Sequence, residues 1–467
     1  MNPSEYALDD DIAAIATALA PAALGIVRTS GKTCIERVSR FFSRPAALQK
    51  APGNSIVYGW IIDAGKKLDE VVALVYRAPK SFTGENCIEI ICHGGVQTVK
   101  SLYRLCLDSG FRAAEKGEFS FRSFINGKTD LTGAEAIAEI IGAKTLQAQT
   151  LAAGRLSGNL FAELQAIKEK LLTALAAIEV EIEYPEDEET IADAFDTALL
   201  EEPLTRLQEL EASRAGEKIF QEGVRIVLAG KTNSGKSSLF NALLKEDRAI
   251  VSDIHGTTRD WLETDIDFSG IPVKLFDTAG IRETSDTIEA IGVQRSLDLL
   301  AEADAVFYLA DGRTKLSPED KDFIVQNTKP LIVVRSRAAL MTDGEKDYAL
   351  KEMRALSAQA KKEFSCICID SKTMEGVGAL VQTTAALITE GKPATSDISL
   401  GTERQKIAVQ QAAAAAKHAL HAARQGFPLD AIVQDIEESL AFLGEITGEV
   451  RSDDILDKIF SGFCVGK

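Results

Sequence analysis

Gly230-Lys231-Thr232-Asn233-Ser234-Gly235-Lys236-Ser237 constrains this chain more than any other stretch. It follows an apolar, β-branched run, Val224-Arg225-Ile226-Val227-Leu228-Ala229. It precedes Ser238-Leu239-Phe240-Asn241-Ala242-Leu243-Leu244, where apolar residues recur at helical spacing. Strand, glycine-rich turn and helix, in that order, predict a loop whose backbone N–H groups turn inward around phosphate oxygens. The helix N-terminus adds positive potential there. On this reading Asn233, Ser234, Gly235, Lys236, Ser237 and Ser238 bind a nucleotide. Lys236 reaches the β- and γ-phosphates, and the Ser237 hydroxyl binds Mg²⁺.

Two further stretches fit a nucleotide machine. Asp277-Thr278-Ala279-Gly280 follows the strand-like Val273-Lys274-Leu275-Phe276. An Asp at a strand's carboxyl end can hold a Mg²⁺ water, and the Gly280 N–H can meet a γ-phosphate. Between the two motifs lies Gly256-Thr257-Thr258-Arg259-Asp260, where Thr258 is placed to complete the Mg²⁺ shell. The base-reading motif departs from that of a GTPase. After Leu331-Ile332-Val333-Val334 one expects Asn-Lys-X-Asp, but Arg335-Ser336-Arg337-Ala338-Ala339 stands there. In the better register Ser336 replaces Asn, Arg337 replaces Lys and Ala339 replaces Asp; in the other the Asp position is Ala338, so either way the carboxylate is gone. The lost carboxylate would accept two guanine donors, each such bond worth roughly 1.5–3 kcal/mol. Weaker and less selective guanine binding is therefore expected, unless Asp343 compensates. Asp370-Ser371-Lys372 sits where a Ser-Ala-Lys base loop would lie.

The 467 residues suffice for two to four domains, and 45% are hydrophobic, enough for a sizeable core. No apolar run reaches the roughly 20 residues that span a bilayer, and the N-terminus lacks a signal-peptide pattern, so a soluble, cytoplasmic protein is expected. Seven scattered cysteines without a CxxC pair, and four histidines, suit reduced thiols and argue against zinc. Cys366 and Cys368, two apart on a strand-like run, read as structural thiols. A net charge of −18 gives no global footprint for nucleic acid, so an RNA partner must use a local patch or another protein.

The pattern along the chain predicts a multidomain α/β and all-α protein. Residues 1–123 read as an α+β domain, with strands near 24–28, 55–60, 71–76 and 87–92 and helices near 34–38 and 96–107. Residues 124–222 form the first part of a helical domain, interrupted by the acidic Tyr184-Pro185-Glu186-Asp187-Glu188-Glu189, with a helix near 194–219. Residues 223–389 alternate strand and helix, as a mostly parallel sheet with crossover helices does. Residues 390–467 return to helix: one alanine-rich and closed by Gly426 and Pro428, one marked by Leu429, Ile432, Val433, Ile436, Leu440 and Leu443. The α/β unit is thus inserted into a helical domain.

Taken in order, these features closely resemble the tRNA modification GTPase family called MnmE or TrmE, among the TrmE-Era-Septin-like GTPases. The resemblance covers nearly the full length. It is carried by Arg28-Thr29-Ser30-Gly31, Ser81-Phe82-Thr83-Gly84-Glu85, His93-Gly94-Gly95, Gly117-Glu118-Phe119, Asn126-Gly127-Lys128-Thr129-Asp130-Leu131, the inserted nucleotide domain and Phe463-Cys464-Val465-Gly466-Lys467.

The resemblance implies that residues 1–123 bind tetrahydrofolate and form a homodimer. Arg28, Glu89, Lys128 and Lys467 fall on the contacts of a 5-formyl- or 5,10-methylene-tetrahydrofolate; cations suit its glutamate tail and a carboxylate suits the pterin's donors. It implies a G domain activated by K⁺ and by G-domain dimerisation, without an arginine finger. Asn233, Ser252, Ile254 and Thr257 fall on the K⁺ site, in a loop, Ser252-Asp253-Ile254-His255-Gly256-Thr257, that borders the nucleotide. Glu289, twelve residues past Asp277, falls on the catalytic glutamate that orients the attacking water, with Glu283 its local rival. Cys464 fits a structural or folate-adjacent thiol better than a nucleophile. By resemblance the protein works with a flavin-dependent partner, MnmG or GidA, in a heterotetramer. Together they attach a carboxymethylaminomethyl-type group to C5 of the wobble uridine of tRNA, with the carbon drawn from tetrahydrofolate and GTP hydrolysed. Two rival readings are a nucleotide-binding assembly module with vestigial or relaxed turnover, which the altered base motif favours, and a folate enzyme without nucleotide control, which the intact glycine loop disfavours.

Overall fold

The computed structural model describes residues 9–183, 196–245, 263–277, 299–389, 398–450 and 453–466. The chain divides into two compact units. One comprises Met1–Ala138, Arg155–Leu207 and Arg404–Lys467; the other comprises Glu139–Gly154 and Gln208–Glu403. Among the described residues no helix is long and apolar enough to cross a membrane.

The first unit opens with a six-stranded sheet. Its strands are β1 (Ile12–Ile15), β2 (Leu24–Ser30), β3 (Ser55–Asp63), β4 (Lys66–Tyr76), β5 (Cys87–His93) and β6 (Arg112–Ala113), in the order β3-β4-β5-β2-β1-β6. Only β1 and β6 pair parallel. The two-residue period of β5 sorts its faces. Ile88 and Ile90 are fully buried with Val27 and Ala73 under the helices Cys34–Ser39 and Val96–Asp108, whose Ile35, Val38, Val99 and Leu102 complete that core. Cys87 and Glu89 belong to the other face. The expected strands and helices of this region are present, each extended by one to five residues. β1 and β6 were not foreseen: four and two residues carry too little periodicity to read.

Charge is buried where this sheet meets the helix Glu118–Ile125. Arg122 and Glu118 are both fully buried, one turn apart, and paired at 2.9 Å. Arg122 also reaches Asp10 at 2.7 Å and Glu85 at 3.2 Å, and Arg112 bonds Glu118 and Asp10 at 2.5 and 2.6 Å. Burial works against the charge on Asp10, but hydrogen bonds from Arg112 and Arg122 outweigh it and hold its carboxyl below the usual range.

The helical part of this unit follows from apolar spacing. Leu160, Leu164, Ile167, Leu171, Ala174 and Ile178 form the buried stripe of Asn159–Glu183, and Ile432, Ile436, Leu443 and Ile446 that of Leu429–Thr447. Lys168 bonds Glu449, and Arg404 clasps Glu135 at 2.8 Å, so ion pairs join segments distant in sequence. Glu403–Gln425 is the alanine-rich helix; it ends at Gly426, which takes a left-handed conformation.

The second unit is an α/β layer. Its strands are β7 (Val224–Ala229), β8 (Glu263–Phe268), β9 (Ile271–Asp277), β10 (Ala305–Asp311), β11 (Leu331–Ser336) and β12 (Ser365–Cys368), in the order β12-β11-β10-β7-β9-β8. All neighbours run parallel except β8 and β9. Val224–Ala229, buried at five of six positions, reads as the near-continuous apolar run a central parallel strand requires. The preceding helix is Ala198–Glu222, longer at its carboxyl end than the 194–219 expected, and is stopped by Gly223 at φ 75°. β11 also runs on past Leu331–Val334 through Arg335 and Ser336, both buried.

Candidate functional site

A parallel sheet gathers the loops that follow its strands along one edge. Here the carboxyl ends of β7, β10, β11 and β12 bring together the glycine loop, Asp311, the Arg337 loop and the Asp370 loop.

The glycine loop is built by backbone conformations that few residues adopt. Gly230 has φ 132°, and a Cβ there would lie 2.2 Å from the Leu309 carbonyl oxygen. Asn233 takes φ 60°, which Asn tolerates, and the helix Lys236–Lys245 starts directly after Gly235. Lys236 is buried; its Nζ donates to the Gly230 and Lys231 carbonyls, both at 2.8 Å, so the ammonium is held against the loop. The Ser234 hydroxyl is buried, with no partner among the described residues. An orphaned donor, a buried ammonium and a helix N-terminus on a glycine turn fit a polyphosphate. Ser237 and Ser238 follow on the exposed first turn of that helix.

The loop after β11 touches this cradle. Arg337, at φ 63°, donates to the Asn233 carbonyl at 3.3 Å and to Asp311 at 2.7 Å. Ser336 lies so near Gly235 that a Cβ on the glycine would stand 3.3 Å from that of Ser336. Arg313 also bonds Asp311; its guanidinium first, with the Arg337 charge adding less, holds the Asp311 carboxyl down to about 2 against the cost of burial. The two base loops are tied to each other. Ala338 N–H donates to the Ile369 carbonyl at 2.8 Å, and Ile369 N–H to that of Arg335 at 2.8 Å. Asp370 accepts from the N–H groups of Lys372 and Thr373, at 2.9 and 3.1 Å. Burial opposes its charge, but those N–H bonds keep its carboxyl below the ordinary range.

Of the nucleotide residues expected from sequence, the structure brings together Asn233, Ser234, Gly235, Lys236, Ser237, Ser238, Ser336, Arg337, Asp370, Ser371 and Lys372. Asp277 ends β9 opposite Leu228 of β7, next to the glycine loop. Ser252, Asp253, Ile254, His255, Gly256, Thr257, Thr258, Thr278, Ala279, Gly280, Glu283 and Glu289 lie outside the described residues, as does Lys467. Asp343 stands exposed in the first turn of Asp343–Ala360, beyond buried Met341.

The first unit holds a cavity of about 290 Å³ lined by Arg28, Tyr76, Phe82, Thr83, Cys87, Glu89 and Phe119. Strand register makes it. Arg28 of β2 stands opposite Glu89 of β5, and they pair through Nε and Nη2, both at 2.7 Å. The Arg28 guanidinium lies 5.5 Å from the Phe82 ring centre and 5.6 Å from that of Phe119, and its Nη1 donates to the Gly466 carbonyl at 3.2 Å. Val465 bridges Lys116, and Gly466, at φ 92°, passes so close to Ile15 that a Cβ would lie 2.9 Å from its carbonyl. Aromatic walls with one cation and one carboxylate fit a flat heteroaromatic ring with donors. Lys128 is exposed, near Gly84, and is not among the lining residues; Cys464 is exposed.

Sequence reading gave no role to Tyr76, Phe82, Cys87, Phe119 or Asp311. Cys87 lies two residues from Glu89 on one strand, and Phe82 and Phe119 stand inside stretches already singled out, so period and proximity were available signals. Asp311 closes a parallel strand, where such sheets place ligand groups.

Comparison with known proteins agrees with this architecture. Residues 11–128 match the model described as GTP-binding protein TrmE N-terminus, and residues 131–464 match the MnmE helical domain. A protein of Treponema denticola named tRNA modification GTPase MnmE is 54% identical over all of both chains. One of Treponema pallidum with the same name is 49% identical, again over all of both. One of Borrelia recurrentis, also so named, is 41% identical over 98% of each. With two domain models and full-length relatives in accord, the chain belongs to the MnmE (TrmE) family.

Proposed function

We propose that this chain is a K⁺-stimulated GTPase whose cycle serves modification of the wobble uridine of tRNA. The observation that carries this reading is the glycine cradle, with buried Lys236 and two base loops on one sheet edge, in a chain whose full-length relatives are named tRNA modification GTPases. The backbone of residues 230–236 holds the β- and γ-phosphates, and Lys236 exchanges its loop carbonyls for phosphate oxygens. Ser237 and Thr258 would hold Mg²⁺, with Asp277 on one of its waters; Asn233, Ser252, Ile254 and Thr257 would hold K⁺. When bound, both cations offset charge on the phosphates. Glu289 orients the attacking water.

The cavity around Arg28 and Glu89 binds the tetrahydrofolate derivative, aided by Lys128 and Lys467. The chain acts as a homodimer in the cytoplasm. Within a heterotetramer, a flavin-dependent MnmG-type partner and the folate carbon complete a carboxymethylaminomethyl-type group at C5, and the partner supplies much of the tRNA surface that a charge of −18 denies this chain. Ala339 favours a second reading, an assembly module with feeble turnover.

Hydrolysis in KCl against NaCl at equal ionic strength separates the two. Stimulation by K⁺ of about 10- to 100-fold is expected. Glu289→Ala should remove that increment and leave nucleotide binding intact. Equal turnover in both salts by both proteins would favour the assembly module. For the folate site, Arg28→Ala should weaken 5-formyltetrahydrofolate binding by about 10-fold or more, read by calorimetric titration, since a charged hydrogen-bond donor is lost from the cavity. Unchanged affinity would remove Arg28 from that site.

A further inference from the structure

We propose that the base pocket does not sense the purine 2-position, so that guanine, hypoxanthine and xanthine nucleotides are bound alike. This rests on the nucleotide-binding reading above. Guanine differs from hypoxanthine only by its 2-amino group, and a protein distinguishes them by offering that amine an acceptor, best a carboxylate. Ala339 is exposed and carries none.

The nearby carboxylates are otherwise engaged. Asp370 comes within hydrogen-bond reach of residue 339, but through its backbone. Its Oδ1 takes the N–H groups of Lys372 and Thr373, at 2.9 and 3.1 Å, and the Ala339 N–H and Thr373 hydroxyl further favour its charge. Asp370 is therefore turned to the backbone of the base loops. Asp311 is filled, since an ionised carboxyl offers about four acceptor positions and this one takes the Arg313 N–H at 3.0 Å, its Nε at 3.2 Å, its Nη2 at 2.9 Å and the Arg337 Nη1 at 2.7 Å. Asp343 stands exposed past buried Met341, in the first turn of its own helix.

A pocket that makes no bond to a group neither rewards its presence nor rejects its absence. Xanthine follows by the same logic. Its 2-oxo group would be repelled by a carboxylate at residue 339, and no carboxylate is there. The Ser371 N–H, in the second base loop, has no partner among the described residues and remains for the 6-oxo group that the three bases share. Adenine presents a donor at that position instead.

The test is a titration of the full chain with fluorescent GDP, IDP, XDP and ADP, for the wild type, Ala339→Asp and Asp343→Ala. For the wild type, GDP, IDP and XDP should agree within about threefold. Ala339→Asp places a carboxylate on an exposed turn and should favour GDP over IDP by about 10- to 100-fold, while weakening XDP. A wild type that already prefers GDP over IDP by tenfold or more overturns the proposal, and loss of that preference in Asp343→Ala would name the residue responsible. Failure of all four to bind, or ADP bound as tightly as GDP, would instead remove the GTPase reading itself.

Discussion

Lys236→Ala should lower steady-state GTP hydrolysis by about 100- to 1000-fold, the cost typical of deleting one preorganised donor at a centre of developing charge. The residue is buried, and its ammonium bridges the carbonyls of Gly230 and Lys231, so it is positioned before any ligand arrives. Alanine removes the cation and leaves the loop to hold phosphates by backbone alone. Affinity for fluorescent GDP, measured beside turnover, completes the test. Retention of more than a tenth of wild-type hydrolysis would show that Lys236 is only a loop brace. The backbone fold should survive, because Gly230, Asn233 and Gly235 set the turn by their own conformations.

Arg122→Leu should carry the largest stability cost in the first unit, about 3–5 kcal/mol, because it strips a fully buried Glu118 of one of its two guanidinium partners and leaves Glu85 without its ion pair. Trp60 lies in β3 of the same sheet, so urea unfolding followed by its fluorescence in a Trp261→Phe background reads the event locally. The midpoint should fall by at least about 1 M. The double variant Glu118→Leu, Arg122→Leu should lose less than Arg122→Leu alone, since no acid is then stranded without its one-turn partner. A midpoint unchanged in Arg122→Leu would mean that Arg112 alone satisfies Glu118.

These two residues also mark where sequence reading succeeds and stops. The glycine loop was legible because its chemistry demands residue types at fixed spacing: only small or αL-tolerant residues can turn there, and Lys must follow the second glycine. Arg122 was not legible, because charged residues are read as surface and its partners stand at positions 10, 85 and 118. The Arg28–Glu89 pair falls between. Each side chain could be suspected alone, but their contact depends on β2 pairing with β5 in one register. Asp370 was read as a base contact from its place after β12. The structure adds that its carboxylate serves backbone N–H groups, a role decided by the turn it begins and by a loop thirty residues earlier.

The contact between Arg28 and the Gly466 carbonyl has a consequence for synthesis. The two residues are 438 positions apart. At roughly 5–20 residues per second, a ribosome needs roughly 20–90 s to travel from one to the other. During that interval the early sheet can fold and pair Arg28 with Glu89, yet the cavity lacks its final strap. Every growing chain therefore passes through a stage in which its first domain is shaped but incompletely furnished. A nonsense codon in the last few positions would make that stage permanent: a protein with its sheets intact and one cavity left open.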